Sequence, residues 1–251
     1  YSGLFYFYFF EFINQNSKIF SFPTQQYPMK NFLKNSIFLL ACISIWACGS
    51  NTSEEESTFS GEINSEKDIA YFQNLIEIGM GKKQEWYKHW ASSVGAFSSS
   101  NFQLVYTDSI NPMEMPEANP ILPSDPLFPY QFPHPEGKGT IDIYLYKVEA
   151  QEGLDQPFLN PDSEVTWFKE DGMKERLLFM GPSGMFEDGL WINAQEFLVL
   201  GYFHEEEGYI PMAWIIDVEN HIFRQFKLDK VSKDYQPDSY LDLKLKSVKL
   251  S

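Results

Sequence analysis

Hydrophobic positions in this chain follow two different rhythms. Between residues 69 and 94 they recur every three or four residues, at Ile69, Phe72, Leu75, Ile76 and Met80, then at Trp86, Trp90 and Val94. That spacing lays one apolar stripe along an α-helix. Ser65 stands just ahead with a capping hydroxyl, and Glu66 and Asp68 suit the positive end of the helix dipole. Gly79 and Gly81 weaken the middle, so the spacing predicts one kinked helix or two short ones, ending over residues 95–100.

From Gly139 onward the rhythm is that of strands. Ile141, Ile143 and Leu145 alternate with Asp142, Tyr144 and Tyr146, as in a strand with one buried face. Residues 164–169 and 174–180 flank Glu170-Asp171-Gly172-Met173. Asp-Gly between apolar runs signals a hairpin, because the turn needs a positive φ. Gly181-Pro182-Ser183-Gly184 reads as a second turn, and residues 190–192 as a short strand. Residues 196–203 and 212–216 are nearly continuous apolar runs, the pattern of central strands covered on both faces, with a loop over 204–208. Residues 217–220 turn into a strand over 221–228. Leu241, Leu243 and Leu245 alternate with Asp242, Lys244 and Lys246, which predicts a last strand with one wet face. With a further strand over 102–106, the pattern predicts a mainly β fold. It is an antiparallel meander or sandwich of about eight strands preceded by an N-terminal helical segment, with residues 65–251 forming a single domain.

One stretch fits neither rhythm. Eight of the 15 prolines fall between Pro112 and Pro135, which forbids a long helix or a central strand there. The same stretch carries Met113, Met115, Leu127, Phe128, Tyr130 and Phe132. It is too apolar for a solvated linker, and is expected to lie extended over the domain with its aromatic rings pinned to it.

The N-terminal part reads as an address. Residues 1–28 are crowded with Phe and Tyr, lack periodicity, and precede the first methionine, Met29; they are expected to lie upstream of the true start. Lys30 and Lys34 then introduce a mostly apolar run over 37–47, too short to span a bilayer. The run ends in Ile45-Trp46-Ala47-Cys48. Residues 29–48 resemble a bacterial lipoprotein signal peptide, with Trp46 bulkier than that pattern favours. Leu39-Leu40-Ala41-Cys42 has a similar form, but cleavage there would leave a very short signal and an apolar tail. The resemblance implies removal of residues 29–47, lipidation of Cys48, and anchoring in a membrane by acyl chains. Gly49 after the cysteine implies the outer membrane. Residues 48–64, rich in Ser, Glu, Thr and Gly, form a flexible acidic tether. Within it Glu54-Glu55-Glu56 is either solvated or resembles a surface-export signal, so the domain is expected to face the periplasm or the outside.

Composition narrows the chemistry. The chain has 19 Lys and Arg against 35 Asp and Glu, a net charge of −16, and no basic block, which argues against a nucleic-acid partner. Its two cysteines, Cys42 and Cys48, sit in one apolar stretch and offer neither a disulfide framework nor a Cys-based zinc site. His204-Glu205-Glu206-Glu207-Gly208 lacks the second histidine of a zinc-protease helix, and no Asp-rich calcium loop is present; no metal or cofactor is expected. Gly181-Pro182-Ser183-Gly184-Met185 departs from the serine-hydrolase elbow at its fifth position. Glu187 and Asp188 are the nearest to a carboxylate pair for glycosidase work, although an acidic pair in a turn is more often a capped turn.

Aromatic residues remain. Trp86, Trp90 and Trp214 lie in core patterns, while Tyr130, Phe132 and Trp167 are the candidates for ligand contact, with packing against the domain as the competing role. The segments 188–193, 197–201, 213–217 and 222–224 resemble one β-propeller blade. With no internal repeat in the chain, they read more simply as a four-stranded meander. The sequence therefore suggests a lipid-anchored envelope protein with a non-enzymatic binding or structural role, recognising a polysaccharide or an envelope protein through residues 112–138. A secreted glycosidase-like hydrolase using paired carboxylates is the alternative.

Overall fold

The computed structural model describes residues 66–149, 158–246 and 248. The signal-like segment, Cys48, the acidic tether and the Ser65 cap lie outside the described residues. Two helices lead the described chain, α1 (Glu66–Lys82) and α2 (Gln84–Val94). They bury Phe72, Leu75, Ile76 and Met80 from the first and Trp86 and Trp90 from the second. The helical run breaks at Lys83, whose backbone leaves the helical region with φ −108° and ψ 54°.

Twelve strands follow, all paired antiparallel: β1 (Phe102–Ser109), β2 (Met115–Pro116), β3 (Phe132–Pro133), β4 (Gly139–Asp142), β5 (Val148–Glu149), β6 (Phe158–Leu159), β7 (Ser163–Lys169), β8 (Met173–Met180), β9 (Gly184–Trp191), β10 (Glu196–Glu205), β11 (Gly208–Asp217) and β12 (Ile222–Leu228). The protein is mainly β. One five-stranded sheet has the order β1-β12-β11-β10-β9, and a second has the order β2-β8-β7-β4-β3. The chain passes from the second sheet to the first through residues 181–183. The four segments with the look of a propeller blade form β9 to β12 in sequence order, with β1 completing the sheet beside β12.

Local chemistry explains where elements begin and end. The β7–β8 hairpin turns at Asp171-Gly172, with Gly172 at φ 83°. The strand read over 141–146 stops at Asp142, because Asp142 Oδ1 accepts the backbone N–H groups of Tyr144 at 2.9 Å and Leu145 at 2.6 Å. Such an Asx turn diverts the chain from the ladder. The loop read over 204–208 shrinks to Glu206 and Glu207, since β10 and β11 continue pairing to Glu205 and Gly208.

Two readings are corrected. The C-terminal alternation does not form a strand: Ser239–Lys244 is a short helix, α3. It buries Tyr240, Leu241 and the following Leu245 and leaves Leu243 exposed, whereas a strand would put Leu241, Leu243 and Leu245 on one face and Tyr240 on the other. Glu187 and Asp188 do not lie in a turn. They stand in the middle of β9, which begins at Gly184 instead of near Leu190.

The Pro-rich segment makes only the short strands β2 and β3 and a single turn of 3-10 helix over Phe128–Tyr130. It buries Ile121 and Leu127 while leaving Met113, Met115, Leu122 and Phe128 exposed.

Candidate functional site

The first sheet carries an irregularity that decides where its acidic residues point. Between β9 and β10, Asp188 pairs with Leu200, but the next pair along is Phe186 with Gly201, so Glu187 is an extra residue in the ladder. A β-bulge of this kind re-aims side chains that strict alternation would send to opposite faces. Both Glu187 and Asp188 are buried, at 0% and 1% exposure, in a strand that is buried throughout from Gly184 to Leu190. Gly201 permits the close approach opposite the bulge: a Cβ there would meet the Met185 carbonyl oxygen at 2.0 Å.

Elements from both ends of the described chain close over this pair. Glu187 Oε2 accepts the indole N–H groups of Trp86 and Trp90, each at 2.8 Å, and Oε1 accepts the Tyr235 hydroxyl. The Tyr144 hydroxyl donates to the Glu187 backbone carbonyl at 2.9 Å. Asp188 Oδ1 accepts Lys83 Nζ at 2.8 Å and the Gly189 backbone N–H at 2.8 Å. Its Oδ2 accepts the Tyr240 hydroxyl and Lys244 Nζ, both at 2.6 Å. The break between α1 and α2 places Lys83, and the helical turn of α3 puts Tyr240 and Lys244 on one side, four residues apart.

Electrostatics follow from burial and these partners. Burial pushes the Glu187 carboxyl up to about 7, although the Tyr235, Trp90 and Trp86 donors pull it down. Burial acts to raise Asp188 too, but the Lys83 and Lys244 ammoniums outweigh it and hold that carboxyl below the usual range. Burial, and then the Glu187 charge, raises the Tyr235 hydroxyl, which keeps it a proton donor to Glu187. Two neighbouring carboxylates thus have opposite shifts.

Opposed shifts in a carboxylate pair are a signature of acid–base sites, but access is missing here. A glycosidase needs space between its carboxyls for a sugar and, in inverting enzymes, a water. Each oxygen of Glu187 and Asp188 already accepts a hydrogen bond from the protein, and their side chains are sealed. Fully satisfied buried networks of this type fix a unique arrangement of the elements that meet in them.

A concavity of about 370 Å³ lies on the outer side of the cluster, lined by His89, Ser92, Ser93, Asp234, Tyr235, Gln236 and Ser239. His89 Nε2 and Ser239 Oγ are 2.9 Å apart, the spacing of a base and a nucleophile. A hydroxyl has one proton, and Ser239 Oγ donates it to the Gln236 carbonyl at 2.6 Å. That hydrogen bond competes with donation from Ser239 to His89. Burial lowers the His89 pKa and favours the neutral ring.

The aromatic candidates lie on a seam where the two sheets meet. Tyr130 stands edge-on to Tyr144 at 6.2 Å, and Phe132 lies 6.3 Å from Tyr144 and 5.4 Å from Phe197. Phe197 contacts Trp191 at 5.1 Å, and Trp191 contacts Trp167 at 6.4 Å. Tyr130 and Phe132 are half-buried. Trp167 is buried, with His134 nearly parallel to it at 6.1 Å and Lys169 Nζ 5.9 Å from its ring. Trp167 also lines a shallow concavity of about 490 Å³ with Lys138, Lys169, Glu170 and Asp171. The structure thus joins the three candidates through a chain of rings.

Sequence reasoning placed Trp86 and Trp90 in the core but missed their common acceptor, and missed Lys83, Tyr235, Tyr240 and Lys244 altogether. The available signal was Glu187-Asp188 interrupting the apolar stretch from Met185 to Ile192. Among the described residues no group of three His, Cys, Asp or Glu side chains is placed to hold a metal ion. Nor is any helix among them long and apolar enough to cross a membrane. Comparison with family models, curated proteins and solved structures gives no match.

Proposed function

We propose that this protein is a non-enzymatic binding module of the bacterial envelope, lipid-anchored through Cys48 at the outer membrane, which recognises a partner protein through the outer surface of its Pro-rich segment. The observation that carries the reading is the exposure of Met113, Met115, Leu122 and Phe128 within that one segment, with Leu122 at 61%. Four large apolar side chains left in water along one segment point to an interaction surface there, and the fixed backbone of a Pro-rich segment lowers the entropy lost on binding. The sealed Glu187–Asp188 pair supports an architectural role for those carboxylates over the hydrolase alternative. The buried Trp167 ring offers less to a sugar than the exposed apolar side chains offer to a protein.

The test is photo-crosslinking in intact cells. A photoreactive amino acid is placed at position 122, and for comparison at position 206 in the β10–β11 turn. A discrete adduct at position 122 and none at position 206 is the expected outcome. No adduct at position 122, or the same adduct at both, would refute the reading.

A further inference from the structure

Beside the Pro-rich segment, β8 carries one of only two arginines in a chain of net charge −16. Arg176 is half-exposed, and among the described residues no carboxylate forms an ion pair with it. That is unusual where acids outnumber bases by 35 to 19. Its guanidinium lies over the Phe179 ring, 5.3 Å from the centroid, with Nη2 against the Met113 thioether. Phe179 in turn meets Tyr146 edge-on at 6.2 Å. All three neighbours are open to solvent, Met113 at 52% and Phe179 at 50%.

The backbone holds this arrangement at a cost. Met113 has φ 47°, a left-handed conformation that non-glycine residues seldom adopt. Arg176 pins the strained segment by donating its own backbone N–H to the Pro112 carbonyl at 2.7 Å. Strain that leaves an apolar side chain in water gains nothing for the core, and such outliers cluster at binding sites. Arginine, methionine and aromatic residues are also the types enriched in interfaces. Beyond the β2 pairing at Met173 and Lys174, the outer edge of β8 over residues 177–180 carries no paired strand among the described residues.

We propose that the surface formed by Met113, Arg176, Phe179 and Tyr146 binds a peptide segment of a partner protein in which a carboxylate stands next to an aliphatic or aromatic side chain. The carboxylate pairs with the free N–H edge of Arg176, whose fork matches both of its oxygens. The neighbouring apolar side chain packs between Met113 and the Phe179–Tyr146 pair. The proposal rests on the binding reading above and adds the chemistry of the partner.

A random-peptide display library is selected on the full chain, then compared on R176Q and F179S. Both variants change solvated side chains, and melting curves check that each remains folded. The expected result is enrichment of peptides carrying Asp or Glu beside an apolar residue, with binding weakened about tenfold or more by either variant, as for loss of one charge-assisted or aromatic anchor. Loss on F179S decides the matter should R176Q fail to fold. Enriched peptides without an acid, or peptides that bind both variants as well as the native chain, overturn the proposal and leave the crosslinking result untouched. No enrichment at all also overturns it. A synthetic peptide of residues 53–59, acidic and ending in Phe59, is run alongside. If it binds as tightly as the selected peptides, the chain's own tether is the occupant, and a partner protein is not.

Discussion

Lys244 reaches Asp188 at 2.6 Å from a six-residue helix near the C-terminal end of the chain. With Lys83 at 2.8 Å on the other carboxylate oxygen, Asp188 ties the junction of α1 and α2 to the C-terminal segment across the bulge of β9. Removing the shared carboxylate leaves two ammoniums in a poorly solvated site, whereas removing Lys244 leaves Asp188 one cation and its other donors. D188A is therefore expected to lose about 3–5 kcal/mol, and K244A clearly less. Urea denaturation of the two variants checks the order. Equal losses, or a D188A midpoint close to the native one, would show that the tie carries little stability.

The carboxylates also predict how stability follows pH. Glu187 is raised from 4.5 to about 7 and Asp142 from 3.8 to about 6, each chiefly by burial. A folded pKa above the unfolded one means that the folded state holds the proton more tightly, so the contribution is present below the unfolded value and is lost as pH rises through the folded value. Asp188 has the opposite sign, and its contribution is lost as pH falls below the ordinary carboxylate range. Stability should peak in mildly acidic solution and decline toward pH 7, by on the order of 3 kcal/mol from Glu187. E187Q keeps an acceptor for the two indoles but does not titrate, so its decline should shift to the lower range of Asp142. A native stability that climbs steadily from pH 5 to pH 7 would contradict this assignment.

Anchoring is tested by metabolic labelling with an alkyne fatty acid. The full chain should take up the label and partition with membranes, and C48S should do neither. Uptake by C48S that disappears in C42S would move the modified residue to the first cysteine.

Much of the β fold was legible because its cues are local. The turn at Asp171-Gly172 and the unbroken apolar runs of β10 and β11 need no knowledge of the rest of the chain. The C-terminal helix was not legible: Leu241, Leu243 and Leu245 alternate, and only the contacts of Tyr240 and Lys244 with a carboxylate more than fifty residues earlier select a helix. Glu187 and Asp188 were misplaced for a related reason. Two consecutive acids read as a capped turn, and neither the cover on both faces of β9 nor its bulge against β10 is visible in the sequence. Nothing in the sequence marks Lys83, because its partner Asp188 is brought to it only by the fold.

Trp167 teaches the converse lesson. Its place beside a hairpin suggested exposure, yet the antiparallel register sets it opposite Ile141 and Glu175, and His134 covers one face. Leu122 and Phe128, embedded in the same Pro-rich run as the buried Ile121 and Leu127, cannot be told from them by residue type. Which side of an extended segment faces water is set by what lies beneath it.

The central claim is a division of labour: the buried carboxylates hold the fold, and the exposed Pro-rich surface does the binding. It is tested most directly by the melting temperatures of E187A and of the double variant L122A/F128A. E187A strips the acceptor from two buried indoles and a buried tyrosine, and should lose about 3–5 kcal/mol, or roughly 10 °C at about 2–4 °C per kcal/mol. The double variant alters solvated side chains and should melt within about 2–4 °C of the native chain, given at most about 0.5 kcal/mol per surface substitution. An E187A protein that melts like the native one, or a double variant that loses as much as E187A, would contradict the account.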